Sequence, residues 1–136
     1  MAVELSQVRR VVFASPRYLR RHGVPSHPRE LAKHACLSLG AIAPGDVWQF
    51  RERGRALAVR LRPAFASNSA DAVVALALAG AGVGTALSYQ VDEHLAKRRL
   101  QLLLAEFAPP AVPVSALFPH GRLAAAKLRE FLALIR

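Results

Sequence analysis

The residues that could do chemistry are few and dispersed. Cys36 is the only cysteine, which rules out an internal disulfide and any multi-cysteine metal site. Between Ala35 and Leu37 it reads as a small buried hydrophobe. The histidines His22, His27, His34, His94 and His120 include no i, i+4 pair with an intervening Glu, the spacing zinc proteases use. Pro28 also discourages the continuous helix that would put His27 and His34 on one face. No Gly-x-Ser-x-Gly elbow occurs, and the carboxylates stand singly apart from Asp92-Glu93, a pair suited to a helix start. No catalytic or metal-binding constellation is legible, no cofactor is implied, and an enzyme is the least favoured class. The run Gly80-Ala81-Gly82-Val83-Gly84 has the wrong order for a phosphate loop, because a helix precedes it and a strand follows; it reads as a helix stop and tight turn. Asn68-Ser69 is the polar pair with most potential. It falls at a strand-to-helix junction, where free amides and a helix N-terminus can hold an anion, although the same residue types also serve as plain caps.

These residues must be positioned by a chain of 136 residues, 53% hydrophobic and 21% charged, a composition that fits one compact domain with its own core. The net charge of +10 raises nucleic-acid binding. The cations, however, form short pairs at Arg9-Arg10, Arg20-Arg21 and Arg98-Arg99 and a scattered series at Arg51, Arg53, Arg55, Arg60 and Arg62, a pattern closer to solvated faces than to one phosphate-binding surface. No uninterrupted apolar stretch is long enough to span a membrane, and Met1 to Arg10 lacks the layout of a secretory leader, so the expected compartment is the cytoplasm.

Val11 to Phe13 is a β-prone run. Ser15-Pro16 then starts a helix that Gly23 and Pro25 end near His22. A second short helix around Pro28 to Lys33 leads into a strand at Cys36 to Leu39. Val47 to Phe50 and Leu57 to Leu61, separated by the polar segment Arg51 to Arg55, predict a β-hairpin whose second strand buries Leu57, Val59 and Leu61. A strand at Ala64 to Ser67 precedes a helix over Ala70 to Ala79 that is apolar nearly all round, which implies burial between other elements. A strand at Val83 to Leu87, a helix from about Tyr89 to Lys97 and a strand at Leu100 to Leu104 follow. After Pro109, Pro110 and Pro113, a last strand is expected at Val114 to Phe118. The chain closes on a helix with an apolar stripe at Leu128, Phe131, Leu132 and Ile135. The order is that of an α/β fold.

Taken in sequence, Arg10-Val11-Val12-Phe13-Ala14-Ser15-Pro16-Arg17-Tyr18-Leu19, His22-Gly23-Val24-Pro25 and His27-Pro28-Arg29-Glu30-Leu31 resemble the entry into the second lobe of the effector-binding domain of LysR-type transcriptional regulators. Trp48-Gln49-Phe50, the Gly54 hairpin, and Asn68 ahead of Ala79-Gly80-Ala81-Gly82-Val83-Gly84 extend the resemblance over nearly the whole chain. Two departures, Ser88 where a Pro usually stands and Arg98-Arg99 where Gly is frequent, bear on local turns. The resemblance implies a type II periplasmic-binding-protein-like lobe, a mixed sheet flanked by helices. Residues 1–113 would form the second lobe, and 114–136 would be the strand and helix that return to the first lobe. It also implies a truncated chain without the family's helix-turn-helix.

The same resemblance matches Ser67, Asn68 and Ser69 to the junction lining the effector cleft and puts Thr85 on a strand near the crossover between lobes. It implies a small-molecule effector, such as an organic acid, homo-oligomerisation, and DNA contact only through the absent helix-turn-helix. No membrane partner is implied. The competing readings are a stand-alone solute-binding module, disfavoured by the missing leader and half-lobe, and nonspecific nucleic-acid binding through the arginine-rich hairpin.

Overall fold

The computed structural model describes residues 7–40, 46–109 and 112–113. In it β1 (Gln7–Val8), β2 (Arg10–Ala14), α1 (Pro16–His22) and a 3-10 helix (Pro28–Lys33) lead to β3 (Cys36–Leu39). The hairpin strands β4 (Val47–Glu52) and β5 (Arg55–Arg60) follow, then β6 (Phe65–Ser67), α2 (Ala70–Leu78), β7 (Val83–Leu87), α3 (Asp92–Ala96), β8 (Gln101–Leu103) and β9 (Val112–Pro113). The main sheet has five strands in the order β6-β3-β7-β2-β8. β3 runs parallel to both β6 and β7, while β2 is antiparallel to β7 and β8. This is the expected α/β lobe with a mixed sheet.

Alternation along the strands sends side chains to two cores. Phe13, Leu37, Leu39 and Ala86 meet Val73, Val74 and Ala77 of α2 on one face. Val12, Ala14, Cys36, Val83 and Leu103 meet Trp48, Phe50 and Val59 of the hairpin on the other. The nearly all-apolar α2 is thus covered mainly on its sheet side. The hairpin is fastened to the lobe by Trp48, whose indole Nε1 donates to Ser38 Oγ at 3.2 Å, and by His27. The Nδ1 of His27 accepts the Arg29 amide at 3.1 Å, so its Nε2 carries the proton given to Glu52 Oε2 at 2.8 Å.

The local signals act as their chemistry requires. Ser15 Oγ accepts from the Tyr18 amide, Pro16 sits in the first turn of α1, and Gly23 takes φ +84 at its end, its amide bonded to Leu19 O at 2.8 Å. At the end of α2, the Gly80 amide bonds Ala77 O and the Ala81 amide bonds Leu76 O, a Schellman motif that needs the φ of +83 glycine supplies. The glycine run is therefore a helix stop, as its order in the chain indicated.

Two expectations shift. The hairpin ladder continues past Phe50 and Leu57 to Glu52↔Arg55, leaving a two-residue turn, Arg53-Gly54, at φ +51 and +78. Positive φ at both positions is the primed turn whose twist suits paired strands. The helix expected from Tyr89 starts late: Ser88–Gln90 forms a 3-10 turn, and Val91, fully buried at φ −127, interrupts the spiral before α3. Arg98, one of the two sites at which the sequence departs from the resemblance, sits at φ +58, in the left-handed region that favours glycine.

β1 and β9 pair antiparallel, Gln7 opposite Pro113 and Val8 opposite Val112, so the first and last described strands run side by side. The strand expected at Val114 to Phe118 and the helix carrying Leu128, Phe131, Leu132 and Ile135 lie outside the described residues.

Candidate functional site

The directions of the strands bring the carboxyl ends of β3, β6, β7 and β8 to one edge of the sheet, together with the start of β2. Open α/β sheets bind ligands at such an edge. Ser67 closes β6, and its Oγ accepts the Ser69 amide at 3.0 Å. Ser69 Oγ in turn accepts the Ala72 amide at 3.2 Å, capping α2. Both hydroxyls are thus engaged in shaping the junction. Asn68, between them, is exposed.

Asn68 is seated on Gly40, the residue after β3. A Cβ placed at Gly40 would come within 2.8 Å of Asn68 Oδ1, and the Gly40 amide bonds Ser67 O at 2.9 Å. The absence of a side chain at position 40 is what allows the amide of Asn68 to lie over the end of the neighbouring strand. Helix geometry leaves the first amides of α2 beyond Ser69's reach to other acceptors. Asp71 in the first turn of α2 offsets part of the positive end of the helix, so hydrogen bonding outweighs net charge at this junction.

Thr85 does not join this cluster. It is buried on β7, opposite Val12, and its Oγ1 donates to Val11 O at 3.0 Å. Its side chain lines a cavity of about 100 Å³ between the sheet and the hairpin, walled by Val12, Trp48, Phe50 and Leu103 and bordered by Arg9 and Arg10. Neither Ser67, Asn68 nor Ser69 lines that cavity. β6 and β7 are two strand positions apart in the sheet, roughly 10 Å. The four residues named from sequence therefore divide between the sheet edge and the space under the hairpin. Sequence reading missed Trp48 and Arg10 as cavity residues: Arg10 shares the parity of Val12 and Ala14, a signal that was legible, whereas the height of the hairpin above the sheet was not.

Elsewhere the titratable groups serve packing. Burial pushes the Cys36 thiol up to about 12, and its Sγ donates weakly to Leu31 O at 3.4 Å. Among the described residues, no group of three or more His, Cys, Asp or Glu could hold a metal ion, and no helix is long and apolar enough to cross a membrane.

The lobe pairs its first and last described strands and carries a polar junction at the carboxyl edge of the sheet. The family described as the LysR substrate binding domain matches residues 2–136, and the chain belongs to it. The transcriptional regulator CrgA of Neisseria meningitidis serogroup C is 32% identical over 124 residues, which is 89% of this chain and 40% of CrgA. The regulator DmlR of Escherichia coli is 28% identical over 112 residues, 82% of this chain and 36% of DmlR. The chain thus spans well under half the length of these relatives. Among solved structures, the CrgA regulatory domain matches with a TM-score of 0.71 at 29% identity, covering 99% of this chain and 67% of that one. Full-length AphB of Vibrio cholerae shares the fold, with a TM-score of 0.70 at 20% identity over 99% of this chain and 46% of AphB. These relatives are transcriptional regulators, not enzymes.

Proposed function

We propose that this chain senses a small-molecule effector within a LysR-type regulator and that the effector lies against the carboxyl edge of the sheet, with Asn68 as the side chain that reads it. The observation that carries the reading is Asn68 held over Gly40 beside the start of α2. An exposed carboxamide offers one acceptor and two donors, and the adjacent helix supplies further amide donors. A small organic acid is the ligand class that suits these donors. Ser67 and Ser69 shape the turn through their hydroxyl oxygens, which accept the Ser69 and Ala72 amides, and their O–H groups remain donors for the same effector. No covalent step is involved. A ligand that favours one arrangement of lobes or subunits shifts the population of the intact protein.

In this reading residues 1–113 form the second lobe and 114–136 return to the first, the protein works in the cytoplasm as a homo-oligomer, and DNA is contacted through a helix-turn-helix elsewhere in the regulator. The test is thermal unfolding against a panel of small carboxylates and neutral metabolites, because a ligand that binds only the native state raises the midpoint. The expected result is a saturable rise that Asn68→Ala abolishes. A rise untouched by that substitution would move the site elsewhere.

A further inference from the structure

We infer that the cavity beneath the hairpin is a second binding site, three strand positions along the sheet from the Asn68 junction, for a small carboxylate with a compact apolar body. Its inner wall is apolar and buried, with Val12 from β2, Trp48 and Phe50 from β4 and Leu103 from β8, while the exposed Gln49, Leu102 and Ala105 lie toward its outer side. Two wall groups that could otherwise compete for a polar ligand are spoken for. The Trp48 indole N–H is given to Ser38 Oγ, so the ring presents its face as apolar surface. The Thr85 hydroxyl gives its proton to Val11 O and shows the cavity only acceptor lone pairs, which repel a carboxylate head from the interior.

The mouth has the opposite character. Arg10 lies on the same face of β2 as Val12 and Ala14 and borders the cavity next to Arg9. Among the described residues neither arginine forms an ion pair, whereas Lys97 pairs with Glu93. The Arg10 guanidinium at the rim, with no ion pair among the described residues, and a wall that repels anions fix the orientation of a ligand, head group out and body in. A guanidinium meets a carboxylate in a bidentate, charge-assisted contact. Since cavities on the order of 150 Å³ accept benzene, a volume of about 100 Å³ suits a body of roughly four to six carbons. The edge residue Asn68 follows β6, three strand positions from β2, or roughly 14 Å, so one small molecule does not reach both places.

Trp48 is the only tryptophan in the sequence, which makes its emission a reporter of this cavity alone. The probe is 3-methylbutanoate, transparent where tryptophan emits, with 3-methyl-1-butanol as the uncharged control of similar shape. Titration of the full chain is expected to give a saturable change in Trp48 emission in the millimolar range with the acid and a much weaker one with the alcohol. Arg10→Gln is expected to weaken the acid by about tenfold or more, as for loss of a charge-assisted hydrogen bond, while Arg10→Lys keeps part of the response. Asn68→Ala is expected to leave it within about twofold, as separated sites behave. A flat titration, an equal response to the alcohol, or indifference to Arg10→Gln would each overturn the assignment. Loss of the response in Asn68→Ala would show instead that the acid binds at the sheet edge, and the failure of the edge reading in its own thermal test leaves this result unaffected.

Discussion

The Tyr18 hydroxyl lies 2.7 Å from His34 Nδ1, and its ring stacks on His22 with centroids 4.5 Å apart. The two groups share a hydrogen bond, and burial, followed by repulsion from His22, holds the His34 pKa below its ordinary 6.5, against a smaller opposing pull from Glu30. The unfolded chain therefore takes up a proton that the folded chain resists. This contribution to stability is complete above the unfolded value and is lost as the pH falls below it, down to the lower folded-state value. Urea midpoints should drop as the pH falls below about 6.5, and His34→Gln should flatten that part of the profile; an unchanged slope would remove His34 from the account. Cys36 makes a simpler case. With its pKa pushed up to about 12 in the interior, it should resist iodoacetamide at neutral pH in the native chain and react fully in denaturant, and rapid native alkylation would contradict its placement. Cys36 as a buried hydrophobe and Ser15 as a cap were both legible from neighbouring residues. The seat of Asn68 on Gly40 was not, because it depends on two strands meeting in register across a long stretch of chain.

At the level of elements, local chemistry carried most of the reading. Ser15-Pro16, Gly23 and Gly80 each marked a helix end that the backbone confirms, since caps and left-handed turns involve only near neighbours. Val91 shows where that logic stops. Its helical spacing to Leu95 suggested a longer helix, yet tertiary burial of its side chain outweighs continuity of the spiral. The hairpin similarly extends further than hydrophobicity indicates, because backbone pairing continues through exposed arginines. Two substitutions probe these elements. Ser69→Ala removes the cap of α2 and should cost about 1 kcal/mol of unfolding free energy by urea titration. Trp48→Ala empties the space between hairpin and sheet and should cost about 3–5 kcal/mol, and a loss below about 1 kcal/mol would mean the hairpin is not part of the core.

Across the whole molecule, the net charge of +10 does not gather on one face of the hairpin. Arg51 and Arg60 lie on its outer side, Arg55 shares the parity of Trp48 and Val59, and Arg53 sits in the turn, all of them exposed. Retention of the chain on random duplex DNA should consequently be weak and vanish near 0.15 M salt, about the ionic strength of cells; firm retention there would revive direct nucleic-acid binding. The family and the fold were legible because the ordered set of short motifs runs through the lobe from β2 to β7. The division of the candidate residues between two places was not, because sequence order does not give strand order: Asn68 follows β6 and Thr85 lies on β7, and β3 runs between those strands.

The central claim is that an effector is read at the carboxyl edge of this sheet. Hydrogen exchange followed by mass spectrometry, with and without the compound that most raises the unfolding midpoint, tests it directly. The account predicts slowed exchange at Gly40 and over Ser67 to Ala72, lost in Asn68→Ala; protection confined to other segments, or none at saturating ligand, would contradict it.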